Sequence, residues 1–380
     1  MKFLHTSDLH IGKRVSEFPM RDEQKAALDQ IIEIAEREKV DGIFISGDVY
    51  DKPVPSAEAV SLFDSFISRL EEMRIPSYII AGNHDSAERI SYMGEILQKR
   101  GIHVEGGYRE SGIRKIGLED EYGPLNVYLL PFLKPIEVRH ALDLESEEIS
   151  TYTEAIKLVI DRENVDKNER NVLLTHQFVA GCRQSESEEM LSIGGSEQID
   201  EHVFDAFDYV ALGHLHIPQG GRIRYSGSPL KYSKSEAKGE KSVTLITLKE
   251  KGTLEIEEIP IKPIHDMRII KGMYQEIMSQ GNQIDDEAKE DYLFIELNDK
   301  DYVPNALSML RTIYKNIISI EYPNIRKLNR IDTKIKKESL SDPIELVKEF
   351  YKALMGKEME SEDLKLINNI LEEQRNNEDK

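Results

Sequence analysis

Histidine, aspartate and asparagine recur at the ends of short apolar runs in this 380-residue chain. Phe3-Leu4 leads into Asp8 and His10, Ile43-Phe44-Ile45 into Asp48, and Tyr78-Ile79-Ile80-Ala81 into Gly82-Asn83-His84-Asp85. Val172-Leu173-Leu174 leads into His176, and Tyr209-Val210-Ala211-Leu212 into Gly213-His214-Leu215-His216. Five of the ten histidines (His10, His84, His176, His214 and His216) fall in these segments. A lone histidine is usually structural, and a lone aspartate after a strand usually forms a turn. Asp8, His10, Asp48, Asn83, His176, His214 and His216 together point instead to a preformed metal site. Imidazole nitrogens, two carboxylates and one amide oxygen suit Mn, Fe or Zn better than Ca or Mg, and the lack of thiolates argues against structural zinc. Alternate residues of an extended segment share a side, so Asp8 with His10, and His214 with His216, are expected to reach one site together. Two cations ~3.5–4 Å apart need a shared ligand, and a carboxylate can bridge where an imidazole cannot. Asp48 is the expected bridge.

The elements that must position these residues follow a strand–helix–strand–helix–strand rhythm. Residues 2–6 read as a strand, and Arg21 to Lys39 as a helix with Leu28, Ile31, Ile32 and Ala35 on one stripe. Val40 to Ser46 has the pattern of a buried strand. Ser56 can cap a helix that reaches about Arg74 and carries Val60, Phe63, Ile67 and Leu70. This order predicts an α/β layer structure with its chemistry at the carboxyl ends of the strands. Residues 137–170 are acidic and helix-prone, and Gly181 to Ser196 reads as a long loop near the site. Three further strands (Gly221 to Tyr225, Ser242 to Thr247, Thr253 to Ile259) are expected to make a second sheet, completing a sheet sandwich flanked by helices over 1–263. A small α+β domain is expected over 264–325. Residues 326–340 read as a basic linker, since between Arg326 and Lys337 the six basic residues Arg326, Lys327, Arg330, Lys334, Lys336 and Lys337 are met by only one acidic residue, Asp332. Residues 341–380 predict C-terminal helices with apolar stripes Ile344, Val347, Tyr351, Leu354 and Leu364, Ile367, Leu371.

The single cysteine, Cys182, excludes an intrachain disulfide and suits a reducing compartment. No apolar run approaches the ~20 residues of a membrane span. Asp8 and His10 interrupt the region where an export signal would be apolar, so a cytoplasmic location is expected. The formal charge is −21, whereas proteins that bind nucleic acid are usually basic. Such acidity argues against a stand-alone DNA binder and for a more basic partner if DNA is the substrate.

Asp8-Leu9-His10, Gly47-Asp48, Gly82-Asn83-His84-Asp85, His176 and Gly213-His214-Leu215-His216 resemble, in order and spacing, the five signatures of the calcineurin-like metallophosphoesterases. Within that superfamily, Gly47-Asp48-Val49-Tyr50-Asp51 and the run Ala211 to Pro229 are similar to the bacterial SbcD nuclease subunits, as are the size and order of the small domain and tail. The resemblance implies Asp8, His10, Asp48 and His216 on one metal, and Asp48, Asn83, His176 and His214 on the other. It makes His84 the catalytic histidine. Archaeal and eukaryotic relatives carry histidine where this chain has Asp51, which leaves a second histidine on the phosphate without a counterpart.

The resemblance further implies a two-metal DNA exonuclease/endonuclease, with Mn2+ as the expected cation, in repair, recombination and replication. Its implied partners are DNA, an ATPase subunit of the SbcC type bound through the C-terminal helices, and a second copy of the chain. Divalent metals lower the pKa of water so that hydroxide attacks phosphorus in line, and His84 would protonate the leaving oxygen or steady its charge. Asp85 is a candidate to orient His84, or a turn-former bonding backbone. Lys13, Arg14 and Arg21, and equally Lys231, Lys234, Lys238 and Lys241, are candidates for substrate phosphates or for solvated surface charge. A small-molecule or protein phosphoesterase shares the same ligands. The protein phosphatases of the superfamily, however, usually have Arg after the bridging Asp and Glu after Gly-Asn-His, where this chain has Lys52 and Asp85. A non-catalytic DNA-end tether would have no physical reason to keep all seven ligands.

Overall fold

The continuous apolar runs fold as strands buried on both faces, because parallel strands covered on each side have no polar face to present. The computed structural model describes residues 1–145, 149–188, 198–281 and 283–328, with isolated positions between 344 and 364. Strands β1 (Lys2–Thr6), β2 (Gly42–Ser46), β3 (Ser77–Ile80) and β4 (Ile102–Glu105) pair in parallel. Strands β5 (Arg114–Asp120), β6 (Gly123–Leu130), β7 (Arg170–His176), β8 (Tyr209–Gly213), β9 (Gln219–Gly220) and β10 (Ile223–Tyr225) make a second sheet in the order β9-β10-β8-β7-β6-β5. Strands β11 (Ser242–Leu248) and β12 (Leu254–Pro260) return to the first sheet, which runs β12-β11-β1-β2-β3-β4.

That placement corrects the expected second sheet. Of the three strands assigned to it, only β10 joins the sheet that carries β7 and β8, while β11 pairs antiparallel with β1 (Leu4 opposite Leu245). Left unpaired, β1 would present a row of bare N–H and C=O groups. β11 covers that row, and β12 forms the new edge with outward Glu255, Glu257 and Glu258, charges that discourage further pairing.

The two sheets face one another across Phe3, Phe44, Tyr78, Val127, Leu129, Val172, Leu174 and Ala211. Phe3 and Phe44 stack with centroids 4.5 Å apart. Helix α1 (Arg21–Glu38) buries Ala27, Leu28, Ile31 and Ile34, and α2 (Ala57–Glu72) buries Phe66, Ile67 and Leu70. Ser56 caps α2 by accepting from the Ala59 amide at 3.2 Å. Helices α3 (Pro135–Leu142) and α4 (Tyr152–Arg162) contribute Val138, Ala155, Ile156, Val159 and Ile160 to a second core with Tyr128, Leu173 and Val210 of the second sheet. The architecture is the expected α/β sandwich flanked by helices.

The chain divides into compact units Met1–Arg268 and Ile269–Lys380. The division falls within β13 (Met267–Gly272), a few residues past the boundary at 263–264 expected from the sequence. The second unit orders its strands β13-β14-β15, with β14 (Tyr292–Leu297) parallel to β15 (Asn316–Glu321). Its core joins Leu293, Ile295, Leu297 and Ile317 to Ile277 of α5 (Tyr274–Gly281) and Leu310 of α6 (Ala306–Leu310). The helix Pro323–Leu328 runs into the start of the expected basic linker. The rest of 326–340 and the tail 341–380 lie outside the described residues, apart from isolated helical positions such as Ile344, Val347, Tyr351 and Leu364. Among the described residues no helix is long and apolar enough to cross a membrane.

Arg170, at the start of β7, is the main buried cation holding the far end of the sandwich together. Its guanidinium donates to Asp120, to the Gly123 and Pro124 carbonyls, and to the Lys249 carbonyl at 3.0 Å. Hydrogen bonding to Arg170 holds the Asp120 carboxyl well below the usual carboxylate range, against the opposing effect of burial. Without Arg170, Asp120 keeps the Met1 ammonium at 2.9 Å, but the Gly123, Pro124 and Lys249 carbonyls lose their donor. Arg170→Ala is expected to lower unfolding stability by about 1–3 kcal/mol, read as a shifted denaturation midpoint. A loss below ~1 kcal/mol would mean that solvent already shares this ion pair.

Candidate metal centre

Five strands deliver their carboxyl ends to one edge of the sandwich: β1, β2 and β3 from the first sheet, β7 and β8 from the second. The exit loops are stitched to each other before any side chain is considered. The Asp8 amide donates to the Gly47 carbonyl at 3.1 Å, and the His10 amide to the Asp48 carbonyl at 2.9 Å. Across the sheets, His176 Nδ1 donates to the Ser46 carbonyl at 2.8 Å, and the His214 amide donates to the Asp8 carboxylate at 3.0 Å.

The sequence reading aims paired ligands by alternation along an extended segment. The structure uses a different device. Asp8, His10 and Asp48 have φ of 53, 44 and 49°, and His214 has φ of 101°, so the chain turns sharply at each ligand. Positive φ costs a non-glycine residue on the order of 1 kcal/mol or more, and the surrounding bonds hold it in place. Two glycines make room for the crossing of the loops. A Cβ on Gly213 would lie 1.9 Å from the Ser46 carbonyl oxygen, and one on Gly82 would lie 2.1 Å from Asp48 Oδ1.

The side chains converge as two overlapping groups. His10 Nε2 lies 3.1 Å from His216 Nε2 and 3.6 Å from Asp48 Oδ2. His176 Nε2 lies 3.3 Å from the same Asp48 oxygen, and Asn83 Oδ1 stands 3.0 Å from both His176 Nε2 and His214 Nδ1. Among the described residues, three groups lie close enough to surround a cation: Asp8, His10, His216; Asp8, Asp48, His176; and His10, Asp48, His84. Two imidazole nitrogens 3.1 Å apart, with a carboxylate oxygen 3.6 Å from one of them, offer lone pairs that one cation can share. The donor set fits divalent metal ions. All seven expected ligands are brought together, and His84 is added to them within ligand distance.

Around these groups the charge states are divided. Burial drives His10 well below the usual histidine range and His214 down to about 3. Burial also raises Asp8, while His176 overcomes the burial of Asp48 and holds that carboxylate ionised. For His176, burial works against the charged ring, but Asp48 and Asp8 raise it to about 9.

The remaining candidates separate. Asp85 accepts from the Val49, Tyr50 and Gly82 amides at 2.9–3.0 Å, so it pins two ligand loops and does not orient His84. The group that orients His84 is the Asp51 carbonyl, which accepts from His84 Nδ1 at 3.0 Å. Lys13, Lys52, Asp51, Asn83, His84 and Ser187 line a cavity of about 360 Å³, and Lys13 Nζ is 2.7 Å from Asp51. Arg14 and Arg21 are not brought to that cavity; they line a separate hollow of about 230 Å³ that Lys13 also borders. Lys231 pairs with Asp266, and Lys241 is buried against Glu236, so neither is a solvated surface charge.

Sequence reasoning missed the residues that hold the ligands. Gln24 donates to the His10 carbonyl at 2.7 Å, and Ser7 to the Asp8 carboxylate. Tyr232 donates to the Leu9 carbonyl at 2.6 Å. Ser187, Glu188, Glu236 and Lys241 surround His216. None has a distinctive spacing; a glutamine on the apolar stripe of α1 is the one signal that was there to be read.

A cation that binds here must displace the proton that Asp48 and Asp8 hold on His176. Metal uptake at pH 7 is therefore expected to release protons, and affinity is expected to rise with pH up to about 9, where the metal-free ring loses its proton unaided. Calorimetric titration in two buffers of different ionisation enthalpy measures this. Identical heats in both buffers would show that His176 is already neutral.

Residues 1–218 match the family model described as calcineurin-like phosphoesterase. Residues 263–354 match the SbcD C-terminal model, described as the type 5 capsule protein repressor C-terminal domain. Similar solved structures include TT1561 of Thermus thermophilus, with 15% identity over 68% of this chain and 98% of that one at a TM-score of 0.37. The calcineurin-like phosphoesterase YfkN of Bacillus subtilis shares 14% identity over 69% of this chain and 90% of its own, with a TM-score of 0.36. A dimetal phosphatase from Danio rerio shares 11% identity over 69% and 99%, with a TM-score of 0.41. With its first 218 residues matched and an Asp/His cluster at the carboxyl ends of its strands, this chain belongs to the calcineurin-like phosphoesterase family.

Proposed function

We propose that the chain is a metal-dependent DNA nuclease, cleaving phosphodiesters as the subunit of an SbcC–SbcD-type end-processing complex. The observation that carries the reading is the joining of one catalytic-type centre, whose Asn83 and neighbouring His84 border a cavity, to a C-terminal region matching the SbcD domain. That second domain, and the basic segment after it, exceed what hydrolysis of a small ester needs. The same match supports an ATPase subunit of the SbcC type as partner, which would also answer the net charge of −21. The exposed Val54, Val60, Tyr92, Met93 and Ile96 support a homodimer.

In this reading Asp8, His10, Asp48 and His216 would hold one cation, and Asp48, Asn83, His176 and His214 a second, so that Asp48 would serve both. Two divalent ions, Mn2+ in this reading, would supply Lewis acidity and a hydroxide nucleophile at neutral pH. The chain's own residues do the rest. His84 donates its Nδ1 proton to the Asp51 carbonyl, so that in the imidazolium form Nε2 carries a second proton to hand to the leaving oxygen. Lys13 and Lys52 line the same cavity and attract phosphate oxygens. Asp85 keeps the loops after β2 and β3 together.

Purified protein is expected to cut labelled DNA in the presence of Mn2+, with binding weakened by salt as phosphate contacts release counterions. Asp48→Ala is expected to lose both cations and all cleavage. Turnover of phosphomonoesters with DNA left intact would instead favour a small-molecule or protein phosphoesterase. His84→Gln keeps size and an amide while losing the titratable nitrogen, so cleavage is expected to fall ~10²–10⁴-fold with both cations retained. Metal analysis of that variant decides the role, because loss of one cation would make His84 a ligand.

A further inference from the structure

Ser187 sits between a buried carboxylate and a metal-binding imidazole. Its Oγ is 2.7 Å from His216 Nδ1 and 2.5 Å from Glu236 Oε1. Glu236 is buried and paired with the equally buried Lys241 ammonium, so it stands there as a carboxylate. Lys241 Nζ, Ser233 Oγ at 2.8 Å and the Tyr232 amide at 3.3 Å all donate to the same carboxylate. An ionised carboxylate can only accept, so the one hydroxyl proton of Ser187 goes to Glu236. The Ser187 oxygen must then accept from His216, which puts the ring proton on Nδ1 and leaves Nε2 bare.

We propose that Ser187 is a positioning residue that transmits the Glu236 carboxylate to His216, fixing the tautomer whose bare Nε2 points at His10 Nε2, 3.1 Å away. The proposal rests on the reading of His216 as a cation ligand. The backbone of His216 is already clamped, its amide donating to Glu188 Oε1 at 2.7 Å and its carbonyl accepting from Lys241 Nζ at 2.8 Å. Those clamps set where the ring lies. They leave open which nitrogen carries the proton, and Ser187 decides that. A ligating histidine gains basicity and a fixed orientation when its other nitrogen is held in this way.

Ser187 also lines the cavity that holds His84 and Lys13. Its segment is anchored at Arg183, whose amide and carbonyl both bond the Gln219 side chain at 2.9 and 2.7 Å, and at Glu186, whose amide donates to Ser235 Oγ at 2.8 Å. The segment that borders the substrate space therefore also sets the donor strength of a ligand.

The test uses the full-length chain and Mn2+ alone. Calorimetric titration of Ser187→Ala is expected to show one cation bound ~10–100-fold more weakly, with the other unchanged. Ser187→Thr keeps the hydroxyl and is expected to restore the affinity. Nitrogen-15 spectra of the metal-free wild type should show His216 protonated at Nδ1, and Ser187→Ala should shift it toward the other tautomer. Wild-type affinity in Ser187→Ala, or equal weakening in the Ala and Thr variants, overturns the proposal. Should Ser187→Ala fail to fold, the wild-type spectrum decides alone, and Nε2–H there sinks the idea. If the wild type takes up no Mn2+, the reading of the centre falls, while the spectrum still settles the tautomer.

Discussion

Asp48 is buried between two imidazoles, with Oδ2 at 3.6 Å from His10 Nε2 and 3.3 Å from His176 Nε2, while Oδ1 accepts the His84 amide at 2.9 Å. A carboxylate in that position must be ionised to serve either neighbour, and the proton held on His176 keeps it so. Much of the local geometry follows from this group. Gly82 is glycine because a side chain would strike Asp48, and Gly47 turns with φ of +89° directly before it. Asp85, which burial raises to about 6, holds the peptides that follow Asp48. The sandwich supplies two sheets with their carboxyl ends on one side, and the loops meet where this one carboxylate can be shared.

The centre was legible in the sequence because its ligands end apolar runs, and a run that stops at His, Asp or Asn reveals both a strand and a side chain at its exit. The way the ligands are aimed was not legible. Alternation presumes extended backbone, whereas Asp8, His10, Asp48 and His214 adopt positive φ, a tertiary demand that overrides the local preference of these residues. Sheet membership failed for a related reason. β11 and β12 look alike whichever sheet they join, and what decides it is the bare edge of β1, which no local pattern records.

Support residues were the least visible. Lys241 reads as surface charge in a run of lysines, yet it is buried and shares hydrogen bonds with Glu236, Ser228 and the His216 carbonyl. Only the fold brings a glutamate twenty positions beyond His216 back to its ring. A buried pair of this kind is tolerable because every partner is satisfied, and burial shields it from the salt that screens surface pairs.

β7 carries Arg170 at one end and His176 at the other, ~20 Å apart at the rise of an extended strand. The clasp that closes the sandwich and the imidazole that serves the centre are thus offered by one rigid rod but share no partners. Sites so separated contribute independently. Heat tolerance can drift in this lineage through the Arg170 end while chemistry at the His176 end is left as it stands, and the reverse holds equally.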